Sequence, residues 1–277
     1  MKISLLIFLG LILCNGAAQA QQSKPQRIVA LGGSVTEIIF ALGEEDRLVG
    51  IDRSSIYPEQ TRLLPSVGYY RSLPLEGLLN LKPDLVLASE QAGPEHVLEQ
   101  LELMGIRVER VSDQAALESL YTRIEQIASH LEVVDHGRRM REKLEYQLND
   151  SYRYPKDRQS VMMVVMRSGK LLGAGSNTAA AKIIELSRLE NVLSDFNGYQ
   201  PVSAEIVSAR LPSALIVTRL SVEAMGGRAS VRNHPALSRI PAVMNDQVIE
   251  LDDLLAQGLG PRLPEAIEII RRGVQGK

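Results

Sequence analysis

The chain has 277 residues, of which 45% are hydrophobic and 23% charged, and its formal net charge is −2. A chain of this length and apolar content can bury one large or two modest cores, which excludes a fibrous or disordered protein. Its basic residues are scattered among acidic ones, so the sequence gives no indication of a nucleic-acid partner.

The first twenty residues have the pattern of a secretory signal peptide. Met1-Lys2 precedes an apolar run, and Ala18-Gln19-Ala20 supplies the small residues of a cleavage site. The apolar run is shorter than a membrane-spanning helix requires. We therefore expect export and cleavage after Ala20, which would also remove Cys14, the only cysteine.

From Arg27 onward, short apolar runs alternate with amphipathic segments, which is typical of βαβ units and a mostly parallel sheet. The sequence therefore predicts a first α/β lobe over residues 25–112 and a second over residues 158–277. The predicted strands are residues 28–31, 48–51, 85–88 and 108–111 in the first lobe, and 161–166, 215–218 and 248–251 in the second. The predicted helices of the first lobe are residues 37–42, 75–79 and 95–104.

Residues 114–149 contain no proline and a single glycine, and their apolar side chains recur at helical spacing. This pattern predicts one long rigid α-helix within residues 113–152, on the order of 50 Å long at 1.5 Å per residue. The predicted fold class is therefore α/β, with two Rossmann-like lobes of mostly parallel sheet joined by this helix.

Gly68-Tyr69-Tyr70-Arg71 places a phenol and a guanidinium where an extended segment meets a helix. In extended backbone, Tyr69 and Arg71 would share one face and Tyr70 would point away. A nearby guanidinium favours the phenolate form, which is a suitable ligand for ferric haem. The alternative interpretation of a tyrosine pair is half-buried packing with both hydroxyls in water.

Other motifs indicate structure more than chemistry. Residues 173–178 lack the third glycine of a dinucleotide fingerprint, so Ser176 or Asn177 is predicted to cap a helix and face the cleft. Ser34 and Glu37 are predicted to form a capping box. The four histidines show no zinc-like spacing, and no nucleophile, base and orienting group can be assembled into an enzyme site.

Glu76 and Glu205 occupy equivalent positions in an internal repeat. Each glutamate precedes a proline, Pro83 or Pro212, that is followed by an apolar strand. A carboxylate in the first turn of a helix interacts favourably with the helix dipole, and this is a sufficient explanation for both residues.

Several of these segments resemble the haem-binding periplasmic proteins of bacterial ABC importers, within the wider family of siderophore- and cobalamin-binding proteins that have a helical backbone. The resemblance covers nearly the whole chain after the signal peptide. The matching segments are residues 27–38, the Gly-Tyr-x-Arg element at 68–71, Leu81-Lys82-Pro83-Asp84, residues 252–255 and Gly258-Leu259-Gly260-Pro261-Arg262.

The resemblance implies that Tyr69 is the axial iron ligand, with Arg71 as its partner and Tyr70 beside it, and that haem b is the transported ligand. Some relatives have a second-lobe histidine where this chain has Met166 and Arg167, so the sixth iron ligand stays open. Arg167 and Arg228 are candidate partners for the haem propionates.

The resemblance further implies that Glu76 and Glu205 dock onto the permease dimer of an ABC transporter in the inner membrane. The expected protein is a periplasmic monomer that binds and hands over haem without catalysis. The alternatives are a ferric-siderophore or cobalamin-binding protein of the same fold, although the absence of tryptophan disfavours a corrinoid, and an exported α/β enzyme.

Overall fold

The computed structural model describes residues 24–151 and 159–276. The predicted signal peptide, residues 1–20, lies outside them. Within the described residues, no helix is both long and apolar enough to cross a membrane.

The first lobe is built on a parallel sheet of four strands in the order β2-β1-β3-β4. These strands consist largely of β-branched and other apolar residues, as expected for a sheet covered on both faces. They are β1 (Ile28–Leu31), β2 (Leu48–Ile51), β3 (Leu85–Ser89) and β4 (Arg107–Val111). The helices of this lobe are α1 (Gly33–Ala41), α2 (Leu75–Asn80), α3 (Glu95–Leu103) and α4 (Leu117–His130), with short 3₁₀ helices at Glu45–Arg47 and Glu59–Leu63.

The connection between the lobes differs from its prediction. The single predicted helix is two helices, because α4 ends at His130 and α5 (Val134–Ser151) starts after Glu132, whose φ is +60°. Helix α5 folds back along α4, so that the guanidinium carbon of Arg141 lies 5.1 Å from the centre of the Tyr121 ring. The connecting helix is therefore about 27 Å long rather than about 50 Å.

The second lobe has a mixed sheet whose strand order is β10-β9-β5-β6-β8, with β7 paired to β5. Strands β5, β7, β9 and β10 pair in parallel, and β6 pairs antiparallel with β5 and β8. The strands are β5 (Ser160–Arg167), β6 (Lys170–Ala174), β7 (Glu190–Asn191), β8 (Tyr199–Pro201), β9 (Ala214–Thr218) and β10 (Val248–Leu251). The helices are α6 (Ala179–Leu186), α7 (Ala204–Arg210), α8 (Arg219–Ala224), α9 (Arg228–Asn233), α10 (Pro241–Met244), α11 (Asp253–Gln257) and α12 (Leu263–Val274).

One continuous core joins the two lobes. It contains buried side chains from α1, α4 and α5 together with others from α6, α11 and α12, including Ile38, Ile124, Leu144, Ile183 and Ile267. Each lobe has a further core on the opposite face of its sheet. The predicted α/β class with two mostly parallel sheets is confirmed, and the lobes share a buried joint as well as a connecting helix.

Candidate functional site

A cavity of about 460 Å³ lies between the lobes, at the ends of the parallel strands. The first lobe contributes the segments that follow β1 to β4, and the second contributes Arg167 at the end of β5 and the segments that follow β9 and β10. The carboxyl ends of parallel strands are the usual position of ligand sites in α/β proteins. Tyr69, Tyr70 and Arg71 all line this cavity.

The backbone at Tyr69 forms a tight turn. The Ser72 amide donates to the Tyr69 carbonyl oxygen over 2.8 Å, so Tyr70 and Arg71 occupy the two central positions of a β-turn. Side chains two residues apart point to the same side only in extended backbone, which was assumed from the sequence. The predicted pairing of Tyr69 with Arg71 on one face is therefore corrected.

Arg71 contacts Tyr70 instead. Its guanidinium carbon lies 5.1 Å from the centre of the Tyr70 ring, and its Nη2 donates to Gln91 Oε1. The Tyr70 ring packs against the first lobe's own core. Burial raises the pKa of Tyr70 to about 12, even though the Arg71 charge acts in the opposite direction. Tyr70 therefore remains a neutral phenol at physiological pH.

Tyr69 lies outside the buried core clusters and is bordered by Tyr70 and Arg53. Its ring meets the Tyr70 ring edge to face, with centres 5.0 Å apart and planes at 72°. The guanidinium carbon of Arg53 lies 5.7 Å from the centre of the Tyr69 ring. Both tyrosines line the cavity, and Tyr69 is the one that does not pack against a core cluster of the described residues.

The buried carboxylate of Asp52 holds this part of the cleft together. Its Oδ1 accepts from the Gly32 amide and from the hydroxyls of Ser54 and Ser55, at 2.9 to 3.0 Å. Its Oδ2 accepts from the amides of Ser54, at 2.9 Å, and Tyr70, at 3.3 Å. Asp52 was not predicted from the sequence, although its position just after a predicted parallel strand was a usable signal.

On the second lobe, Arg167 reaches the cavity. Its guanidinium carbon lies 5.4 Å from the centre of the Tyr199 ring, and its Nη2 is 3.3 Å from Gln257 Oε1. Burial raises the pKa of Tyr199 to about 12, and its hydroxyl has no hydrogen-bond partner among the described residues. Met166 packs against the second lobe's core, so the structure brings Arg167 to the cavity and leaves Met166 outside its lining.

Two predicted cleft residues are not in the cavity lining. The Ser176 hydroxyl donates to the Phe196 carbonyl oxygen over 2.6 Å, and the residue that caps α6 and lines the cavity is Thr178. Arg228 donates to the carbonyl oxygen of Val248 over 3.1 Å. Because Val248 begins β10, Arg228 lies at the end of the sheet opposite the cavity. The predicted roles of Ser176 as a cleft-facing residue and Arg228 as a propionate partner are corrected, whereas Asn177, the predicted alternative to Ser176, does line the cavity.

The cavity carries unbalanced positive charge. Arg53, Arg71 and Arg167 line it, and none of the three forms an ion pair with a carboxylate in the described parts of the chain. Asp113 and Asp253 also line the cavity. The Asp113 carboxylate is 2.9 Å from Arg123 Nη2 and accepts from the Ser89 hydroxyl, and the Asp253 carboxylate accepts from the Leu220 amide over 2.8 Å, so a positive excess remains. Burial raises the pKa of the Asp113 carboxyl, and Arg123 opposes that rise.

Two arginines, the buried Arg123 and the partly buried Arg262, connect the lobes beneath the cavity, and neither role was predicted from the sequence. Arg123 is fully buried and donates to the Ser34 hydroxyl over 2.5 Å, and the second-lobe carbonyl oxygens of Gly258 and Leu259 lie 3.4 Å from its Nη1. The predicted capping box at Ser34 and Glu37 is therefore wrong.

Glu37, in the first lobe, instead accepts from Arg262, in the second, over 3.1 Å. Burial raises the pKa of the Glu37 carboxyl, and Arg262 limits that rise. This ion pair is a polar contact across the joint between the lobes.

Glu76 and Glu205 are exposed and lie in the first turns of α2 and α7. Each helix leads into a parallel strand, so its first turn lies at the edge of the sheet that faces the cleft. A hydrogen bond from the Ser203 hydroxyl lowers the pKa of the Glu205 carboxyl. No group of three or more metal-ligating side chains occurs among the residues that the structure describes.

Known proteins share this architecture. The vitamin B12-binding protein of Vibrio campbellii is 31% identical over 89% of this chain and 86% of its own length. The apo form of the periplasmic heme-binding protein RhuT from Roseiflexus sp. RS-1 has a TM-score of 0.85 and 33% identity, covering 90% of this chain and 99% of that one. A periplasmic heme-binding protein from Pseudomonas aeruginosa has a TM-score of 0.84 and 32% identity, covering 91% and 94%.

A family model described as periplasmic binding protein matches residues 28–255, which include the sheets of both lobes and the helices between them but not α12. The match agrees with the two-lobed fold and with a cavity formed by both lobes. The chain therefore belongs to the periplasmic binding protein family.

Proposed function

We propose that this protein captures ferric haem b in the interlobe cavity, with Tyr69 as the axial iron ligand, and delivers it to an ABC permease. The observation that carries the proposal is the division of roles between two adjacent tyrosines. Both tyrosines line the cavity, but Tyr70 packs on the first lobe's core and has a pKa of about 12, whereas Tyr69 belongs to no core cluster of the described residues. A phenolate oxygen is an established protein ligand of haem iron.

The lining of the cavity suits an amphipathic anion. Ile56 and Leu220 lie on opposite lobes and expose 38% and 54% of their surface, offering apolar contacts to a flat macrocycle. The three cleft arginines without carboxylate partners offer charge-assisted bonds to carboxylates. Two of the similar structures are described as heme-binding proteins. Cobalamin is the second candidate, because a relative of comparable identity is a vitamin B12-binding protein.

Absorption titrations with hemin and with cyanocobalamin distinguish the two ligands. The wild-type protein should bind hemin and give a ferric tyrosinate spectrum, while cyanocobalamin should bind at least tenfold more weakly. Tyr69→Phe should lose the tyrosinate bands, and Tyr70→Phe is the matched control that should keep them. Loss of the bands in Tyr70→Phe alone would move the iron ligand to Tyr70, and preferential binding of cyanocobalamin would refute the haem assignment.

We also propose that Glu76 and Glu205 are the contacts to the permease dimer, one from each lobe. Both are exposed on the side of the protein where the cavity opens. The Glu76→Gln and Glu205→Gln variants should bind hemin normally but fail to support growth on haem as the iron source. Normal growth of the double variant would refute the docking role.

The remaining features of the proposal are export to the periplasm and a monomeric state. N-terminal sequencing of the mature protein should begin at Gln21, after removal of the signal peptide. Light scattering on the purified protein, with and without hemin, should give the mass of one chain.

A further inference from the structure

Arg53 is a cleft residue that the sequence analysis did not select. Its side chain is exposed and lines the cavity, and its guanidinium carbon lies 5.7 Å from the centre of the Tyr69 ring. Within the described chain, this guanidinium has neither an ion pair nor a hydrogen bond. It is therefore a cation in the candidate site whose donors are available to a ligand.

The other two cleft arginines already have protein partners. Arg71 lies over the Tyr70 ring and donates to Gln91, whose own Nε2 donates to the Asp113 carbonyl oxygen over 2.7 Å. Arg167 lies beside Tyr199 and has its Nη2 3.3 Å from Gln257 Oε1. Both keep further N–H donors, but of these three arginines only Arg53 has all of its side-chain donors unused by the described residues.

The backbone of Arg53 is held in place although its side chain is not. Its amide donates to the Gly68 carbonyl oxygen over 2.7 Å, which links it to the residue immediately before Tyr69. The neighbours on either side belong to the Asp52 network, in which Ser54 donates twice to Asp52. The base of the Arg53 side chain is thus fixed relative to Tyr69.

We propose that Arg53 is a specificity residue that binds a carboxylate of the haem substrate, while Arg167 serves the same class of group from the opposite lobe. This inference rests on the proposed function. A planar guanidinium forms paired hydrogen bonds with a carboxylate, and haem carries carboxylates on one edge of an otherwise apolar ring. Arg53 would thereby favour a porphyrin dicarboxylate over an uncharged macrocycle.

The competing explanation is that Arg53 acts on Tyr69, through its position near the ring, and not on the substrate. The two explanations make different predictions for a ligand whose carboxylates are blocked. Hemin dimethyl ester keeps the iron and the ring but has no free carboxylate. If Arg53 acts through Tyr69, removing its guanidinium should lower the affinities for hemin and for the ester equally. If Arg53 binds a carboxylate, the affinity for hemin alone should fall.

The experiment measures the affinity of hemin and of hemin dimethyl ester for the wild type and for Arg53→Ala. Losing a charge-assisted pair should weaken hemin binding roughly 10- to 100-fold, while ester binding changes less than about twofold. Arg62→Ala, which removes a charge from a first-lobe side chain with 78% exposure, is the control and should change neither affinity. Circular dichroism and the melting temperature establish that both variants fold.

Equal weakening of both ligands, or no weakening of hemin, would overturn the role of Arg53 in carboxylate binding. Those results are distinguishable from failure of the proposed function. If haem were not the substrate, the wild type itself would not give a tyrosinate spectrum with hemin.

Discussion

Replacing Arg123 with methionine tests how much the buried charge beneath the cavity contributes to the stability of the protein. Methionine keeps an unbranched apolar stem but removes the guanidinium. The change leaves the Ser34 hydroxyl and the second-lobe carbonyl oxygens of Gly258 and Leu259 without this donor. It also leaves the Asp113 carboxylate, 2.9 Å from Arg123 in the native protein, without its cation.

Removing one partner of a buried ion pair costs about 3–5 kcal/mol of unfolding free energy, because the remaining charge stays buried and unpaired. Arg123 is fully buried, and the Asp113 side chain is only 20% exposed, so we expect a cost within this range. In urea unfolding followed by circular dichroism, the midpoint should fall by roughly 1 to 2 M. Arg123→Met combined with Asp113→Asn should lose less than the sum of the two single variants, because the double change leaves no unpaired charge.

Arg138→Met is the matched control. Arg138 is also ion-paired, to Asp135 at 3.1 Å and Glu142 at 3.8 Å, but its side chain is 63% exposed. Its replacement should cost less than about 1 kcal/mol. A loss for Arg123→Met as small as that of the control, or strict additivity with Asp113→Asn, would refute the argument that burial makes this pair costly to break.

Three further predictions follow from single contacts. Asp52→Ala removes the acceptor of five hydrogen bonds, so it should lower the unfolding free energy by at least about 2 kcal/mol and weaken haem binding; a change below about 0.5 kcal/mol would contradict this. A methyl group added at Gly137 would overlap the Ala128 methyl group, so Gly137→Ala should destabilise the protein in thermal unfolding by about 1–3 kcal/mol, whereas stabilisation would show that the helices can separate. In an alkaline titration followed by absorbance, Tyr70 and Tyr199 should ionise near pH 12. Because the same tyrosines ionise near pH 10 in the unfolded chain, their contribution to stability is present below about pH 10 and is lost as the pH rises towards 12. The variants Tyr70→Phe and Tyr199→Phe should each remove one of the two groups that ionise near pH 12.

The features that were predictable from the sequence are those that depend on local pattern. The apolar runs of β1, β2 and β10 end in the structure at the predicted residues, because a strand buried on both faces is a continuous apolar run between polar segments. The same reasoning failed between α4 and α5. Their combined sequence has helical periodicity throughout, yet the chain turns at Glu132 and Gly137 packs closely against Ala128, a tertiary contact that the periodicity does not indicate.

The candidate site divides in the same way. A segment that contributes Tyr69 and Arg71 to one cavity was predictable, because a short motif stays together in space. Their relative orientation was not predictable, since it depends on whether the backbone is extended or turns back on itself. The position of Arg53 beside Tyr69 depends on a hydrogen bond between two separate segments, so no local pattern could have indicated it.

The joint between the lobes determines how the cavity can respond to a ligand. The continuous core, the contacts of Arg123 with Gly258 and Leu259, and the partly buried ion pair between Glu37 and Arg262 all cross this joint. A large change in the angle between the lobes would expose that apolar surface and separate Glu37 from Arg262, at a cost of several kcal/mol for this ion pair. A ligand can drive such a change only by binding the closed form more tightly by the same amount. Selectivity in this protein therefore depends mainly on side chains already placed in the cavity, and the adjustable groups are exposed ones such as Arg53, whose backbone is fixed and whose guanidinium is free to turn.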